Sequence, residues 1–136
     1  PLGIARHNMK YIKCTEHSIP LEDGALDVLF SVNSIDHASD PNTMLDECFR
    51  IVKSRGLISM SVNLDEPASA GEPNTLTQDW VNERVASRIA VRHVAVSPRH
   101  PSANTYKYLY DWSQFGAEIP PYNGSYGICW ISGLKN

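Results

Sequence analysis

The run Leu26-Asp27-Val28-Leu29-Phe30-Ser31-Val32 is almost continuous apolar, β-prone sequence, broken only by Asp27, and it stops at the polar turn Asn33-Ser34-Ile35-Asp36-His37. A strand with apolar side chains pointing both ways must be covered on both faces, as in a parallel sheet. Asp40-Pro41 then opens a helix. The Asp40 side chain can accept hydrogen bonds from the free N–H groups of the first turn, and Pro41 has no N–H to leave unpaired. Buried strand, polar turn and capped helix in succession make one unit of a doubly wound α/β sheet. Ligands of such sheets sit where strand ends meet helix starts. No glycine-rich strand–turn–helix fingerprint precedes this unit, and the sequence opens on Pro1. It reads as the back half of something larger.

Other elements follow from periodicity and punctuation. Met9 to Cys14 alternates apolar and polar residues and predicts a strand; Pro20 to Gly24 is turn chemistry. In the helix after Asp40, Met44, Leu45, Cys48, Ile51 and Val52 share one face. Lys53 and Arg55 suit its C-terminal dipole, and Gly56 suits a left-handed stop. Leu57 to Val62 predicts a strand, and Asn63 to Asn74 a loop. Thr75 or Thr77 caps a helix running to about Arg88, with Leu76, Trp80, Val81 and Val85 as its apolar stripe. Ile89 to Val96 predicts a strand and Tyr126 to Gly133 a closing one. Residues 105–115 fit strand alternation (Tyr106, Tyr108, Tyr110, Trp112) and helical spacing (Tyr106, Leu109, Tyr110, Ser113), with helix or irregular structure slightly preferred. Alternating strands and helices predict a mainly parallel sheet with a hairpin-like finish.

Composition excludes several functions. The 136 residues carry 12 Lys+Arg and 15 Asp+Glu, a net charge of -3, with no basic cluster for nucleic acid or an anionic membrane surface. No apolar run approaches the roughly 20 residues that span a bilayer. Cys14, Cys48 and Cys129 are scattered, odd in number and form no CxxC, which suggests reduced thiols in a cytoplasmic protein. His93, His100, Cys14 and Cys48 match no zinc spacing, so no metal is expected from them.

The order of these segments resembles a known family. Cys14-Thr15-Glu16-His17-Ser18-Ile19-Pro20-Leu21-Glu22-Asp23-Gly24-Ala25-Leu26-Asp27-Val28-Leu29-Phe30-Ser31 is similar to a stretch of the class I S-adenosylmethionine-dependent methyltransferases, closest to the branch called type 11. Ser34-Ile35-Asp36-His37 resembles that family's Leu-Glu-His segment. Phe49-Arg50-Ile51-Val52-Lys53-Ser54-Arg55-Gly56-Leu57 resembles its Arg-Val-Leu-Lys-Pro-Gly-Gly segment, with Ser54-Arg55 in place of Pro-Gly. Cys129 to Lys135 resembles its last strand. The likeness is good over residues 9–62 and loose elsewhere.

The resemblance implies a single partial domain over residues 1–136: an α/β, Rossmann-like fold, the C-terminal portion of the methyltransferase fold. Strands one and two and the glycine-rich turn are not represented in it. It implies methyl transfer from S-adenosylmethionine to a small-molecule acceptor in the complete parent, with this chain alone inactive. Thr15, Glu16 and His17 would lie beside the adenine, though they also read as a polar turn. Ser31 and Asn33 would lie at the cofactor edge near the sulfonium, though ordinary strand-end polarity explains them as well. Asp36 and His37 are the candidates for chemistry. Histidine titrates near neutrality and a neighbouring carboxylate raises its basicity, which suits a general base; a structural or pocket-lining role is the other reading. The Tyr106–Trp112 aromatic cluster could hold a flat or cationic acceptor, or simply pack on the sheet.

The family strand order is 3-2-1-4-5-7-6, in which strands one and two separate the Met9–Cys14 strand from the Leu26–Val32 strand. Without them the two strands pair directly, a second copy covers the exposed edge as a homo-oligomer, or the front half lies outside this sequence. A non-catalytic remnant that acts by assembly is the alternative to an enzyme. Another Rossmann-like class, a nucleotide-sugar or redox enzyme, is disfavoured by the Ile-Pro-Leu turn and the Ser-Ile-Asp-His segment.

Overall fold

The computed structural model describes residues 9–102, 104 and 106–136. In chain order the elements are β1 (Leu26–Val32), α1 (Pro41–Ile51), β2 (Val52–Leu64), α2 (Gln78–Arg84), a 3-10 turn at Ala86–Arg88, β3 (Ile89–Pro98), α3 (Lys107–Phe115) and β4 (Gly127–Lys135). The strands form one sheet in the order β1-β2-β4-β3. β1 runs parallel to β2, whereas β4 runs antiparallel to both β2 and β3. The α/β, Rossmann-like class expected from the sequence holds, and the order is the 4-5-7-6 half of the expected family sheet. The sheet is mixed rather than mainly parallel. The last strand inserts between its two predecessors and opposes both, so only the β1–β2 crossover makes a parallel pair. Among the described residues no helix is long and apolar enough to cross a membrane.

β2 is the centre of the core. Ile58, Met60 and Val62 are each 1% exposed and Leu64 is fully buried, all on the face that meets α1 and α2. Leu45, Cys48 and Phe49 of α1, Val81 of α2 and Cys129 and Ile131 of β4 pack with them. The residues between, Ser59, Ser61 and Asn63, are buried on the opposite face. There the Trp130 indole N–H donates to Ser59 Oγ at 3.2 Å, and the Asn63 side-chain amide donates to Glu66 at 2.6 Å. One strand thus presents an apolar face and a hydroxyl-lined one.

α1 begins as the sequence predicts. Asp40 accepts from the amides of Asn42 at 2.9 Å and Thr43 at 3.2 Å, and from the Thr43 hydroxyl at 2.6 Å. It ends differently. The helix stops at Ile51 and the chain enters β2 at once, with Arg55 rather than Gly56 at positive φ (64°). Gly56 serves close packing instead: a Cβ there would lie 2.6 Å from Val52 Cγ1 and 3.1 Å from the Asp27 carbonyl oxygen. Lys53 reaches Asp27 at 2.7 Å, and the C-terminal carbonyls are served from across the sheet. Lys135 Nζ donates to the carbonyls of Phe49 and Val52, both at 2.7 Å.

The other expectations resolve in the same way. Residues 107–115 are helical, as preferred, and position 105 lies outside the described residues, as do residues 1–8. Thr77, not Thr75, caps α2, which ends at Arg84; Thr75 instead donates to the Glu66 carbonyl. Met9–Cys14 is not a strand. The direct pairing of residues 9–14 with β1 is therefore not formed, because a strand needs a neighbour's N–H and C=O row to complete its own. β1 is an edge strand, with Val28, Phe30 and Val32 exposed at 44%, 68% and 47%.

A non-glycine residue in left-handed geometry costs about 1–2 kcal/mol. Arg55→Gly should raise stability by about 1 kcal/mol, part of the relief being offset by the more flexible unfolded chain. Gly56→Ala should lower it by about 1–3 kcal/mol through overpacking. Denaturant melts of the two variants beside the parent chain decide both signs.

Candidate functional site

β1 and β2 are parallel, so both deliver their carboxyl ends to the same edge of the sheet. The segment 33–40 leaves β1 there and the loop 65–77 leaves β2 there. This is the edge at which open α/β sheets bind ligands. The turn out of β1 is built on Asn33, whose φ of 47° is one an asparagine tolerates. Its amide donates to both the Ser61 carbonyl at 3.3 Å and Ser61 Oγ at 3.2 Å. Ser31 and Ser34 hydroxyls meet at 2.7 Å beneath it. The Asn33 Oδ1 atom is buried without a partner.

Beyond this turn the chain dips inward: Ile35 is 1% and Asp36 2% exposed. Asn74 of the second loop ties the segment down by donating to the carbonyls of Ala38 at 2.5 Å and Asp36 at 3.3 Å. Neither Asp36 carboxylate oxygen accepts a well-formed hydrogen bond. Burial therefore pushes its pKa above the ordinary carboxylate range, and Glu66 pushes the same way, while nearby His37 and the local amides pull it back. His37 Nδ1 lies 2.7 Å from the Gly71 carbonyl, which fixes that nitrogen as the donor. Nε2 is left facing Glu72 Oε1 at 3.6 Å. The Gly71 carbonyl, and after it the Asp36 and Glu72 charges, raise the His37 pKa. Glu72 is raised as well, by burial first and then by its contact with Glu66. Asp36, His37 and Glu72 each place a ligand-type atom within 4.8 Å of the others.

Of the other predicted residues, Thr15, Glu16 and His17 form a tight turn closed by amide–carbonyl bonds between Thr15 and Ser18 at 3.2 and 3.3 Å. The Glu16 carboxylate accepts from the Ser39 amide at 2.7 Å and from the Ser39 hydroxyl, and the hydroxyl above all lowers its pKa. That staple brings the turn beside the segment carrying Asp36 and His37. A second clamp sits behind it. Arg50 of α1 donates to the carbonyls of Leu21 at 2.8 Å and Ile19 at 2.9 Å and to Asp23 and Glu47, each at 2.8 Å. Hydrogen bonding to Arg50 holds Glu47 down at about 2. Ser31 and Asn33 lie at the carboxyl end of β1, bonded to Ser34 and Ser61.

α3 roofs a cavity of about 480 Å³ whose lining includes Val32, His93, Tyr106, Trp112 and Trp130. His93 lies on the edge strand β3, and its ring stacks on Trp112 at 5.7 Å between centroids. The Tyr106 hydroxyl reaches Ser61 Oγ at 3.1 Å, the atom that also receives the Asn33 amide. The aromatic cavity and the β1 turn are thus joined through one serine.

Comparison with known proteins agrees with this geometry. A family model described as a methyltransferase domain matches residues 3–60. Uncharacterized methyltransferases from Mycobacterium sp. strains KMS and MCS are each 29% identical over 84 residues, covering 62% of this chain and 33% of their own length. The chain spans about a third of the length of these curated relatives. Residues 3–60 are thus similar to a methyltransferase domain, and the chain shares the fold of solved S-adenosylmethionine-dependent methyltransferases. Among solved structures it is similar to a SAM-dependent methyltransferase from Aquifex aeolicus, with a TM-score of 0.54 at 18% identity over 98% of this chain and 58% of that one. It is also similar to the geranyl diphosphate C-methyltransferase of Streptomyces coelicolor A3(2), solved with Mg2+, geranyl diphosphate and S-adenosylhomocysteine. There the TM-score is 0.60 at 14% identity, over 90% of this chain and 51% of that one. The [4+2]-cyclase SpnF shares the fold too, with a TM-score of 0.59 at 13% identity, over 90% of this chain and 55% of that one.

In this methyltransferase-like chain, Glu66 and Glu72 escaped sequence reasoning. They stand in a Pro-, Ala- and Gly-rich loop that carries no periodicity, and only the strand preceding them hinted that the loop returns to the site.

Asp36 gives a pH signature. A folded pKa above the unfolded one means that the native state keeps its proton longer, so this group's contribution falls as pH rises through the interval. Asp36→Asn removes that loss. The stability advantage of the variant should grow from the ordinary carboxylate range toward neutrality, measured by urea melts across pH. An advantage that is flat with pH contradicts the assignment.

Proposed function

We propose that the complete parent of this chain transfers a methyl group from S-adenosylmethionine to a small-molecule acceptor, by direct displacement at the sulfonium. The observation that carries the reading is the strand order β1-β2-β4-β3 with a polar turn at the carboxyl end of β1, in a chain whose residues 3–60 match a methyltransferase domain. The bound S-adenosylhomocysteine of the Streptomyces enzyme supports the choice of methyl donor. In this proposal Thr15, Glu16 and His17 lie beside the adenine, and Ser31 and Asn33 line the sulfonium side. Glu16 then contributes through the turn it staples, because its carboxylate is engaged by Ser39.

His37 is the proposed general base for an N–H or O–H acceptor. Its Nε2 is the free nitrogen, and Asp36 and Glu72 raise its basicity. Holding donor and acceptor in line is the larger part of the acceleration. The acceptor would lie toward the aromatic cavity under α3. The chain spans a third of its curated relatives, so turnover is assigned to the parent, located in the cytoplasm, and these residues supply one wall of its cofactor site.

S-adenosylhomocysteine titrated to millimolar concentration should shift the backbone amide resonances of residues 15–17 and 31–33 and leave α3 unmoved. Shifts confined elsewhere, or none, contradict the assignment. In the parent enzyme His37→Asn should lower kcat by about 10²–10⁴-fold with unchanged S-adenosylhomocysteine affinity.

The β1 edge, unpaired among the described residues, favours a second reading, a non-catalytic module that assembles through Val28, Phe30 and Val32. Sedimentation of the chain distinguishes it. A concentration-dependent mass that Phe30→Lys abolishes supports assembly, and a monomer at all concentrations removes it.

A further inference from the structure

Among the described residues, no Lys or Arg forms an ion pair with Asp36, Glu66 or Glu72. Three carboxyl groups therefore gather at one edge of the sheet, with the His37 imidazole facing Glu72. Asp36 is the most telling of them. It is 2% exposed, and both of its oxygens are buried without a hydrogen-bond partner. A buried carboxylate in that state is costly unless it neutralises or gains a positive partner. Its ligand atom lies within 4.8 Å of those of His37 and Glu72.

We propose that Asp36, His37 and Glu72 bind a divalent first-row cation of the Mn2+, Fe2+ and Zn2+ class. Two carboxylates and one imidazole make a mixed oxygen–nitrogen donor set, which suits these ions better than Ca2+ or Mg2+. His37 is already oriented as a ligand. Its Nδ1 is fixed on the Gly71 carbonyl, the arrangement that orients ligating histidines, and Nε2 is the free donor. Bonds of about 2.1 Å put neighbouring ligands about 3–4 Å apart. His37 Nε2 and Glu72 Oε1, 3.6 Å apart, already meet that, and the remaining separations, within 4.8 Å, need to close by at most about an ångström. The Glu72 side chain, 22% exposed, can make that adjustment, while His37 is held by Gly71 and Asp36 is buried. Glu66, beside Glu72, adds to the negative field. The sequence offered no such site, since Asp36-His37 and Glu72 come from different loops. A cation on Nε2 takes the lone pair that a general base needs, so binding silences His37 as a base.

The inference goes beyond the methyl-transfer reading and does not depend on it. The probe is Mn2+ added to the chain without cofactor, followed by loss of the free-ion electron paramagnetic resonance signal and by calorimetry. One ion per chain should bind and raise Tm. Glu72→Gln and Asp36→Asn should each weaken binding by about tenfold or more, and Glu83→Gln, on α2, should not. Asp36→Asn should also melt at a higher temperature than the ion-free parent, which separates lost ligation from lost folding. No binding, or binding that Glu72→Gln and Asp36→Asn leave intact, overturns the site. S-adenosylhomocysteine binding is read separately, so either proposal can fail without the other.

Discussion

β2 has to be two things at once, and the rest of the molecule is arranged around that. Ile58, Met60, Val62 and Leu64 face the helices, while Ser59, Ser61 and Asn63 face the other way and are also buried. A strand's side chains alternate with a period of two, so a slip of one residue would drive three polar groups into the helix-side core. The register is therefore pinned, and the parallel pairing of Leu29 with Ile58 and Ser31 with Met60 pins β1 in turn. Once both strands are fixed, the segments that leave them have nowhere to go but the same edge.

That edge is held by short polar links rather than by apolar bulk. Asn33 is tied to Ser61, Asn74 to the carbonyls of Asp36 and Ala38, and Glu16 to Ser39. Arg50 collects two carbonyls and two carboxylates and so fastens residues 19–23 to α1. Each link is modest, because hydrogen bonds formed on folding replace bonds to water. Together they hold a buried carboxylate, an oriented imidazole and a half-buried glutamate near one another. Asp36 lacks hydrogen-bond partners while its surroundings are well bonded.

The elements that could be read from sequence are those whose signals are local. Asp40-Pro41 announced α1, and the Leu26–Val32 run announced β1, because caps and continuous apolar runs act over a few residues. Where the reading failed, the deciding partner was distant. The end of α1 looked like the work of Lys53, Arg55 and Gly56. Its carbonyls are in fact served by Lys135 from the last strand, while Lys53 serves Asp27 and Arg55 carries the left-handed backbone. Met9–Cys14 has strand alternation but forms no strand, and alternation alone does not make a ladder. The closing strand was legible as a strand, yet its insertion between β2 and β3 was supplied only by the family resemblance.

The sequence by itself determined the α/β class and the positions of the first strand and its helix, and it singled out Asp36 and His37 as candidates for chemistry. These follow from propensity, capping and side-chain chemistry, which each residue carries with it. Only the tertiary structure decided that Glu72 and Glu66 join that pair, that Glu16 is occupied by Ser39, and that His93 and Tyr106 line one aromatic cavity. Those are meetings between residues 13 to 36 positions apart. The parallel register of β1 on β2 and the return of the later strands bring them together, and no local pattern encodes such distances.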